Sequence, residues 1–424
     1  MGGTILAVKN TVNSDIFGKL LSCDGVFINR EAMRPTFMPD ILPHREKEIG
    51  SLASVFVSAL RDETPSNVFI YGKTGTGKTA VTKFVGRELL VKGKEIGKKV
   101  NFIYINCEIV DTHYRVLQNI ANHFIDEWSE RIPFTGWPTD EVYAKLKRMI
   151  EKHGGVIVII LDEVDKLKGD EALYNLSRIN TELKNAKVSI VGLSNDLKFT
   201  EFLDPRVKSS LGEENMIFPP YDAGELQDIL NQRVEIALKP DSIDSDVVPL
   251  CSALAAQEHG DARRALDLLR MSAELADRAK SPKITKKYVR LAQNKIEIDR
   301  IIEVARTLPT QSKLILLAIL FQEKHNKKME TAGAITTGEV YEIYKDLCKR
   351  THTDKLTQRR VADLISELDM LGIITARVIS KGRYGRTRDI KISSSADDMM
   401  KILEEDEIVN ELSNYKFRGQ TRLI

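Results

Sequence analysis

Four short runs of apolar, mostly β-branched residues govern the first half of this 424-residue chain: Asn67–Tyr71, Val100–Asn106, Val156–Leu161 and Lys187–Leu193. Segments with helical spacing separate them, among them Ala80–Leu90, Val116–Trp128, Val142–Lys152 and Glu171–Leu183. A strand with one face in water alternates apolar and polar residues; a continuous apolar run has both faces covered. Such runs alternating with helices predict an α/β fold built on a parallel sheet. A last short run, Met216–Phe218, ends in Pro219-Pro220, which closes the strand series.

The pattern then changes. From Ala223 to about Ala279 the β-branched runs disappear, and Leu226, Ile229, Leu230 and Val234 recur at helical spacing, as do Leu266, Leu269, Ala273 and Ala276. Gly260-Asp261 interrupts this region with an aspartate placed to cap a new helix. A small helical domain ending near Ser281-Pro282 is the expectation. Helical patterns next run through Ile301–Phe321, Thr337–Lys349 and Leu356–Leu371. After Gly372 come an alternating stretch, Ile373–Ile379, a tip from Ser380 to Arg386 rich in Gly and Arg, and a second stretch, Thr387–Ile392. Helices followed by a two-stranded ribbon describe a winged helix-turn-helix.

Composition matters here mainly for what it excludes. With 42% hydrophobic and 29% charged residues, the chain is neither disordered nor fibrous. Cys23, Cys107, Cys251 and Cys348 are scattered, with no CxxC or Cys/His cluster, which argues against a zinc site or a disulfide framework. The longest apolar runs, Val156–Leu161 and Leu314–Phe321, fall far short of the roughly 20 residues of a membrane helix. The N-terminus lacks a signal-peptide pattern, and Leu6 stands where myristoylation requires Ser or Thr. A cytoplasmic protein is expected.

Gly72-Lys73-Thr74-Gly75-Thr76-Gly77-Lys78-Thr79 fits G-x-x-x-x-G-K-[ST] at every fixed position, between an apolar strand and an amphipathic helix. Its glycines let backbone N–H groups converge on phosphate oxygens, and the helix N-terminus adds a positive dipole. Lys78 supplies a point charge to the β- and γ-phosphates of ATP or ADP, and the Thr79 hydroxyl suits Mg²⁺. The run Val156–Leu161 delivers Asp162 and Glu163 at the C-terminal end of a buried strand. Asp162 suits Mg²⁺, directly or through water, and Glu163 suits a base polarising the water that attacks the γ-phosphate. Asn195, ending the strand Val188–Leu193, could orient that water. Arg206 follows a proline on a polar segment, and Arg263 and Arg264 sit in the first turn of the helix capped by Asp261. Cations are disfavoured at a helix N-terminus, so either a phosphate or solvent compensates them.

The last third can be read for DNA. Leu356, Val361, Leu364, Ile365, Leu368 and Leu371 make one apolar face, leaving Gln358, Arg359, Asp363 and Glu367 outward and Arg360 near the edge. Amide and guanidinium donors at the N-terminal end of a helix are what enters the major groove in helix-turn-helix proteins. The tip adds Lys381, Arg383 and Arg386 between glycines that permit close approach to phosphates. From Lys345 to Lys391 there are 12 Lys/Arg and 6 Asp/Glu, whereas Ala396–Glu411 carries 7 Asp/Glu and 1 Lys. The formal charge of +2 is therefore a cancellation between segments and does not count against DNA.

In order, these pieces resemble an AAA+ ATPase, and more narrowly the archaeal origin-recognition and cell-division-control (Orc/Cdc) family of replication initiators. The narrower likeness rests on strings: Phe27-Ile28-Asn29-Arg30 and Phe37-Met38-Pro39-Asp40-Ile41-Leu42-Pro43-His44-Arg45-Glu46, similar to the family's adenine-side segment; Leu203–Leu211, similar to its arginine-finger box; Pro219-Pro220-Tyr221; and Gly260-Asp261-Ala262-Arg263. Trp128–Tyr143, with Ile132-Pro133-Phe134-Thr135-Gly136-Trp137-Pro138, resembles the family's initiator-specific insertion, which touches DNA beside the wing; such aromatics also suit a packed surface loop.

The resemblance implies an AAA+ P-loop core over residues 26–220, a helical lid over 221–298 and a winged-helix domain over 299–412, with tails at 1–25 and 413–424. It makes Asn195 sensor one, Arg263 the sensor-two arginine and Arg206 a finger offered to a neighbouring subunit, with Tyr221 and Arg233 on the adenine and phosphate side. It implies an ATP-dependent initiator, slow in hydrolysis, with origin DNA, the replicative helicase and further copies or paralogues as partners. Two other readings stay open: a motor or clamp-loading ATPase, and a nucleotide-sensing transcription regulator.

Overall fold

The apolar runs become one parallel sheet of β1 (Val68–Tyr71), β2 (Val100–Asn106), β3 (Gly155–Asp162), β4 (Ala186–Ser194) and β5 (Glu214–Ile217), in the order β2-β3-β4-β1-β5. The computed structural model describes residues 25–211, 214–328, 334–380, 386–393, 396–410 and 412. The chain divides into two compact units between Arg290 and Leu291.

Alternation along β3 explains why the strand is apolar throughout. Ile157, Ile159 and Leu161 face a core shared with Val116, Ile120, Leu146 and Leu173. Val156, Val158 and Ile160 face the opposite core, with Leu52, Phe56, Val81 and Val85. The covering helices are α1 (Glu46–Leu60), α2 (Lys78–Glu95), α3 (His113–His123), α4 (Thr139–His153), α5 (Glu171–Arg178) and α6 (Pro205–Leu211). Asn106 pairs with Asp162, and Tyr71 pairs with Ser194, so the C-terminal strand ends come level at one edge of the sheet. Ligands of such sheets bind outside these ends, where strand order reverses.

The helical pattern at Val116–Trp128 is shorter than expected. α3 stops at His123, and Trp128–Glu130 is a separate 3-10 turn. Asn122 causes the break to hold its shape: its amide donates to Ile132 O at 3.0 Å and its carbonyl accepts from Ile132 N at 2.8 Å. Ile132 is thereby buried while Trp128 (78% exposed) and Phe134 (69%) point to solvent.

The lid comprises α7 (Ala223–Ala237), closed by an Asp222/Glu225 capping box, α8 (Val247–Gln257) and α9 (Ala262–Arg278). The N-terminal segment is strapped to it: the Ile28 and Asn29 amides donate to Ala237 O, and Phe27 bridges Leu238. α10 (Lys286–Thr307) follows and contains the division between units.

In the second unit α11 (Thr310–Lys328) buries Leu314 to Leu320 without interruption, as the central helix of its core. The run Ile301–Phe321 is thus two helices. Pro309 lies at the break, having no N–H to continue the ladder and disfavouring helix in the residue before it. α12 (Thr337–Arg350), α13 (Gln358–Met370), the antiparallel pair β6 (Ile374–Ser380) and β7 (Arg386–Ile392), α14 (Ala396–Leu403) and α15 (Glu407–Asn410) complete a winged helix-turn-helix.

Candidate nucleotide site and DNA-facing helix

A cavity of about 520 Å³ opens at the C-terminal edge of the sheet, between the core and the lid. Its floor is the loop from Gly72 to Thr79. Gly75 (φ 74°) and Gly77 (φ 92°) take left-handed conformations that glycine adopts freely, and α2 starts immediately afterwards at Lys78. The lysine side chain is buried; Nζ donates to Gly72 O (2.5 Å), Lys73 O (2.9 Å) and Asn195 Oδ1 (2.8 Å). Burial is the main reason its pKa falls to about 8, with the Arg263 charge acting in the same direction against the opposing pull of Asp162.

Next to the lysine, Thr79 Oγ1 donates to Asp162 Oδ2 at 2.8 Å. Tyr104, which reading of the sequence missed, reaches the same oxygen at 2.6 Å, and Asp162 Oδ1 accepts from Glu163 N at 3.0 Å. A threonine hydroxyl beside a fixed carboxylate suits a magnesium ion, which takes few protein ligands and fills its octahedron with phosphate oxygens and water. Among the described residues there is no cluster of three or more His, Cys, Asp or Glu for an all-protein metal cage.

Glu163 sits at φ 54°, a left-handed conformation that a non-glycine residue rarely adopts. It lines the cavity, and its carboxyl is held above the ordinary glutamate value, first by burial and then by Glu108, Asp162 and Asp165. Asp165 also went unnoticed in the sequence. Its Oδ1 accepts from Ser194 Oγ (3.0 Å) and Asn195 N (3.2 Å), which fixes the end of β4 where the Asn195 amide meets Lys78.

The lid completes the wall. Asp261 caps α9 by accepting from Arg263 N and Arg264 N, and Ala262 N donates to Gly75 O at 3.2 Å, joining lid backbone to phosphate loop. Arg263 and Tyr221 line the cavity, whereas Arg264 pairs with Glu258. Pro35, Met38, Ile229 and Leu266 supply an apolar surface for a base.

The structure therefore brings Thr74, Gly75, Thr76, Gly77, Lys78, Thr79, Asp162, Glu163, Asn195, Tyr221 and Arg263 together. Gly72 contributes from behind, through the carbonyl that holds Lys78. Arg233, expected here, lies elsewhere, and Arg206, expected to serve a neighbouring subunit, also lies outside this cavity. Arg233 does not line the cavity: it is buried under the strap, donating to Ala32 O (3.3 Å) and Phe37 O (3.0 Å) with its charge over the Phe37 ring. Its position on α7 faces the strap, one residue beyond Gln232, which does line the cavity. Arg206, in the first turn of α6, is 79% exposed and forks onto its neighbour Asp204 at 3.1 and 3.0 Å.

In the winged helix, Thr357 caps α13, and Gln358, Arg359 and Arg360 are exposed at its N-terminal turn. Arg360 also approaches Glu367 at 3.3 Å. Val361, Leu364, Ile365 and Leu368 are buried as expected, but Leu371 is 48% exposed, because the helix ends at Met370 and the chain turns away at Gly372. Lys381 and Arg383 lie outside the described residues; Arg386 opens β7, opposite Ser380. Cys107, Cys251 and Cys348 are free thiols, and among the described residues no helix is long and apolar enough to cross a membrane.

Comparison with known proteins places the same parts in the same order. Family models match residues 61–198 (AAA domain), 227–294 (Cdc6 AAA+ ATPase-type lid domain) and 303–402 (CDC6, C terminal winged helix domain). The ORC1-type DNA replication protein 1 of Methanosarcina acetivorans is 56% identical over 403 residues, 95% of this chain and 96% of that protein. The ORC1-type DNA replication protein of Pyrococcus abyssi is 52% identical over 413 residues, 96% and 97% of the two chains. Among solved structures, the Aeropyrum pernix ORC1 protein in complex with DNA superposes with a TM-score of 0.73 at 46% identity, covering 91% of this chain and 99% of that one.

Proposed function

The chain belongs to the ORC1-type family of DNA replication proteins, initiators with an AAA+ core, and we propose that it marks double-stranded origin DNA in a manner gated by ATP. The observation that carries this reading is the Ala262 N–Gly75 O hydrogen bond, with Arg263 in the same cavity as Lys78. It couples the phosphate loop to a separate lid, so a bound nucleotide and the lid's position bias each other.

Lys78 and the loop N–H groups bind the phosphates, and the strap and lid hold the base. Thr79 and Asp162 would hold a Mg²⁺ ion, which would supply positive charge against the phosphate oxygens. Glu163 takes a proton from the attacking water as its oxygen bonds the γ-phosphorus and the bond to the β–γ bridging oxygen breaks. Asn195 orients that water. Hydrolysis in a lone chain is slow because Arg206 is not in its own cavity; a second copy or paralogue supplies one. The winged helix grips DNA through Gln358, Arg359, Arg360 and the tip residues Lys381, Arg383 and Arg386. Trp128 and Phe134 offer a second contact from the core, and the replicative helicase is then recruited to the marked site.

Footprinting across the source genome with and without ATP tests the reading. Protection at origins that changes with nucleotide is expected. Protection confined to promoters would favour a transcription regulator, and rapid DNA-stimulated hydrolysis in a ring would favour a motor.

A further inference from the structure

A buried arginine with no role in the chemistry above stands at the junction of four segments. Arg45 is 2% exposed, and Glu48 Oε1 approaches it only to 3.9 Å. A guanidinium out of water is strongly disfavoured unless its donors are used. Here they are used on backbone carbonyls. Nε donates to Thr76 O (3.0 Å), one terminal nitrogen to His44 O (2.9 Å) and the other to Pro219 O (2.7 Å). Arg45 Cζ lies over the Tyr221 ring, 3.8 Å from the ring centre.

Each partner has a distinct place. Thr76 belongs to the phosphate loop, Pro219 to the exit from the sheet and Tyr221 to the entry into the lid. His44 sits at φ 61° and meets Asp228 of the lid helix α7 at 2.8 Å. A planar trans peptide points its carbonyl and its N–H in opposite directions. Holding Thr76 O toward Arg45 therefore turns the Gly77 N–H away from the guanidinium, and Gly77 lines the cavity. Gly77 tolerates this at φ 92°, and an ideal Cβ there would lie 2.7 Å from the Tyr221 hydroxyl.

We propose that Arg45 is a positioning residue for phosphate binding: it fixes the Thr76–Gly77 peptide so that the Gly77 N–H faces the phosphates, and it ties that peptide to the lid hinge at Pro219 and Tyr221. The inference rests on the reading of the cavity as an adenine-nucleotide site. Loss of Arg45 then weakens the grip on phosphate and leaves the base site, built from the strap and the lid, intact.

The test is the ratio of ADP to adenosine affinity, by calorimetry or competition, in the full chain carrying Arg45→Lys or Arg45→Gln. Lysine keeps the charge but spans one carbonyl in place of three. The expected result is a fall in ADP affinity of about 10-fold or more, the scale of a lost charge-assisted hydrogen bond, with adenosine changed less than about twofold. A variant that is less thermostable but keeps the wild-type ratio overturns the proposal and leaves Arg45 a structural residue. If neither variant folds, the ratio is read in Tyr221→Leu, which strips the ring from the guanidinium; a fall of about threefold supports the proposal and an unchanged ratio overturns it. A wild-type chain that prefers ADP no more than adenosine would instead remove the nucleotide reading itself, and the proposal with it.

Discussion

Lys78 Nζ donates a 2.8 Å hydrogen bond to Asn195 Oδ1, so the cation of the phosphate loop is registered against the end of β4 by a neutral acceptor. The Asn195 backbone N–H in turn donates to Asp165, which follows β3. A neutral partner leaves the lysine charge available to phosphate, whereas a carboxylate would neutralise it. Asn195→Ala is expected to slow hydrolysis by about 10²- to 10³-fold, the range for loss of one oriented polar group in a transition state, with ADP affinity nearly unchanged. Asn195→Asp should also weaken ADP binding, because a carboxylate then faces the phosphates. Single-turnover hydrolysis and equilibrium binding separate the two effects.

The lysine also gives the site a pH signature. With its pKa lowered to about 8, chiefly by burial, Lys78 is mostly charged at pH 7 and mostly neutral at pH 9. Nucleotide phosphates favour the charged form and raise that pKa in the complex. ADP binding at pH 9 should therefore take up close to one proton, binding at pH 7 almost none, and affinity should decline as pH rises through about 8. Calorimetry in buffers of different ionisation enthalpy measures the uptake, and Lys78→Met should abolish it.

Glu163 is raised above the ordinary glutamate value by burial first and Glu108 second. A base must be deprotonated, so the acidic limb of the hydrolysis profile should lie above the usual glutamate range. Glu108→Gln removes a like charge, favours the anion and should move that limb down. Glu163→Gln should bind ATP normally and lose hydrolysis by about 10²-fold or more. Full turnover in that variant would refute its role.

How far the sequence reveals all this depends on the range of the interaction. Val156–Leu161 could be read as a doubly covered strand because its own residues carry the signal, and its odd and even positions do enter separate cores. The phosphate loop and Asp162-Glu163 were legible for the same reason: each is a local string at the end of a strand. Arg45 was visible only as part of a family string, since its function is written in three carbonyls from distant segments, and backbone atoms carry no identity in a sequence. Arg233 illustrates the converse. The family resemblance put it beside the nucleotide, but one residue along a helix rotates a side chain by about 100°, enough to exchange the cavity for the strap.

Gly260 should be intolerant of change. It sits at φ 69°, and an ideal Cβ there would lie 2.2 Å from Tyr221 O, a backbone atom that does not swing aside. Gly260→Ala combines a left-handed alanine, about 1–2 kcal/mol, with a shift of the Tyr221 peptide. Because Asp261 and Ala262 follow directly, and Ala262 N donates to Gly75 O of the phosphate loop, ADP affinity should fall along with the melting temperature. Differential scanning fluorimetry with and without ADP reads both, and a smaller ADP-induced stabilisation is the expected outcome.

Arg359 and Arg360 are both exposed at the N-terminal turn of α13, yet Arg360 approaches Glu367 at 3.3 Å along the same helix. Each phosphate contact contributes about one unit to the slope of log affinity against log salt. Arg359→Ala should therefore weaken duplex binding and flatten that slope by about one unit if it meets a phosphate, or relax sequence preference by about 1–3 kcal/mol at one base pair if it meets guanine. Glu367→Gln acts in the opposite direction. It releases Arg360 and removes a negative charge from the same helix, so affinity for random duplex should rise and the slope steepen. Fluorescence anisotropy over a salt series with origin and random duplexes distinguishes these outcomes. Weaker binding in Glu367→Gln would mean that the carboxylate holds Arg360 in its DNA-contacting position, whereas no change in either variant would place α13 outside the interface.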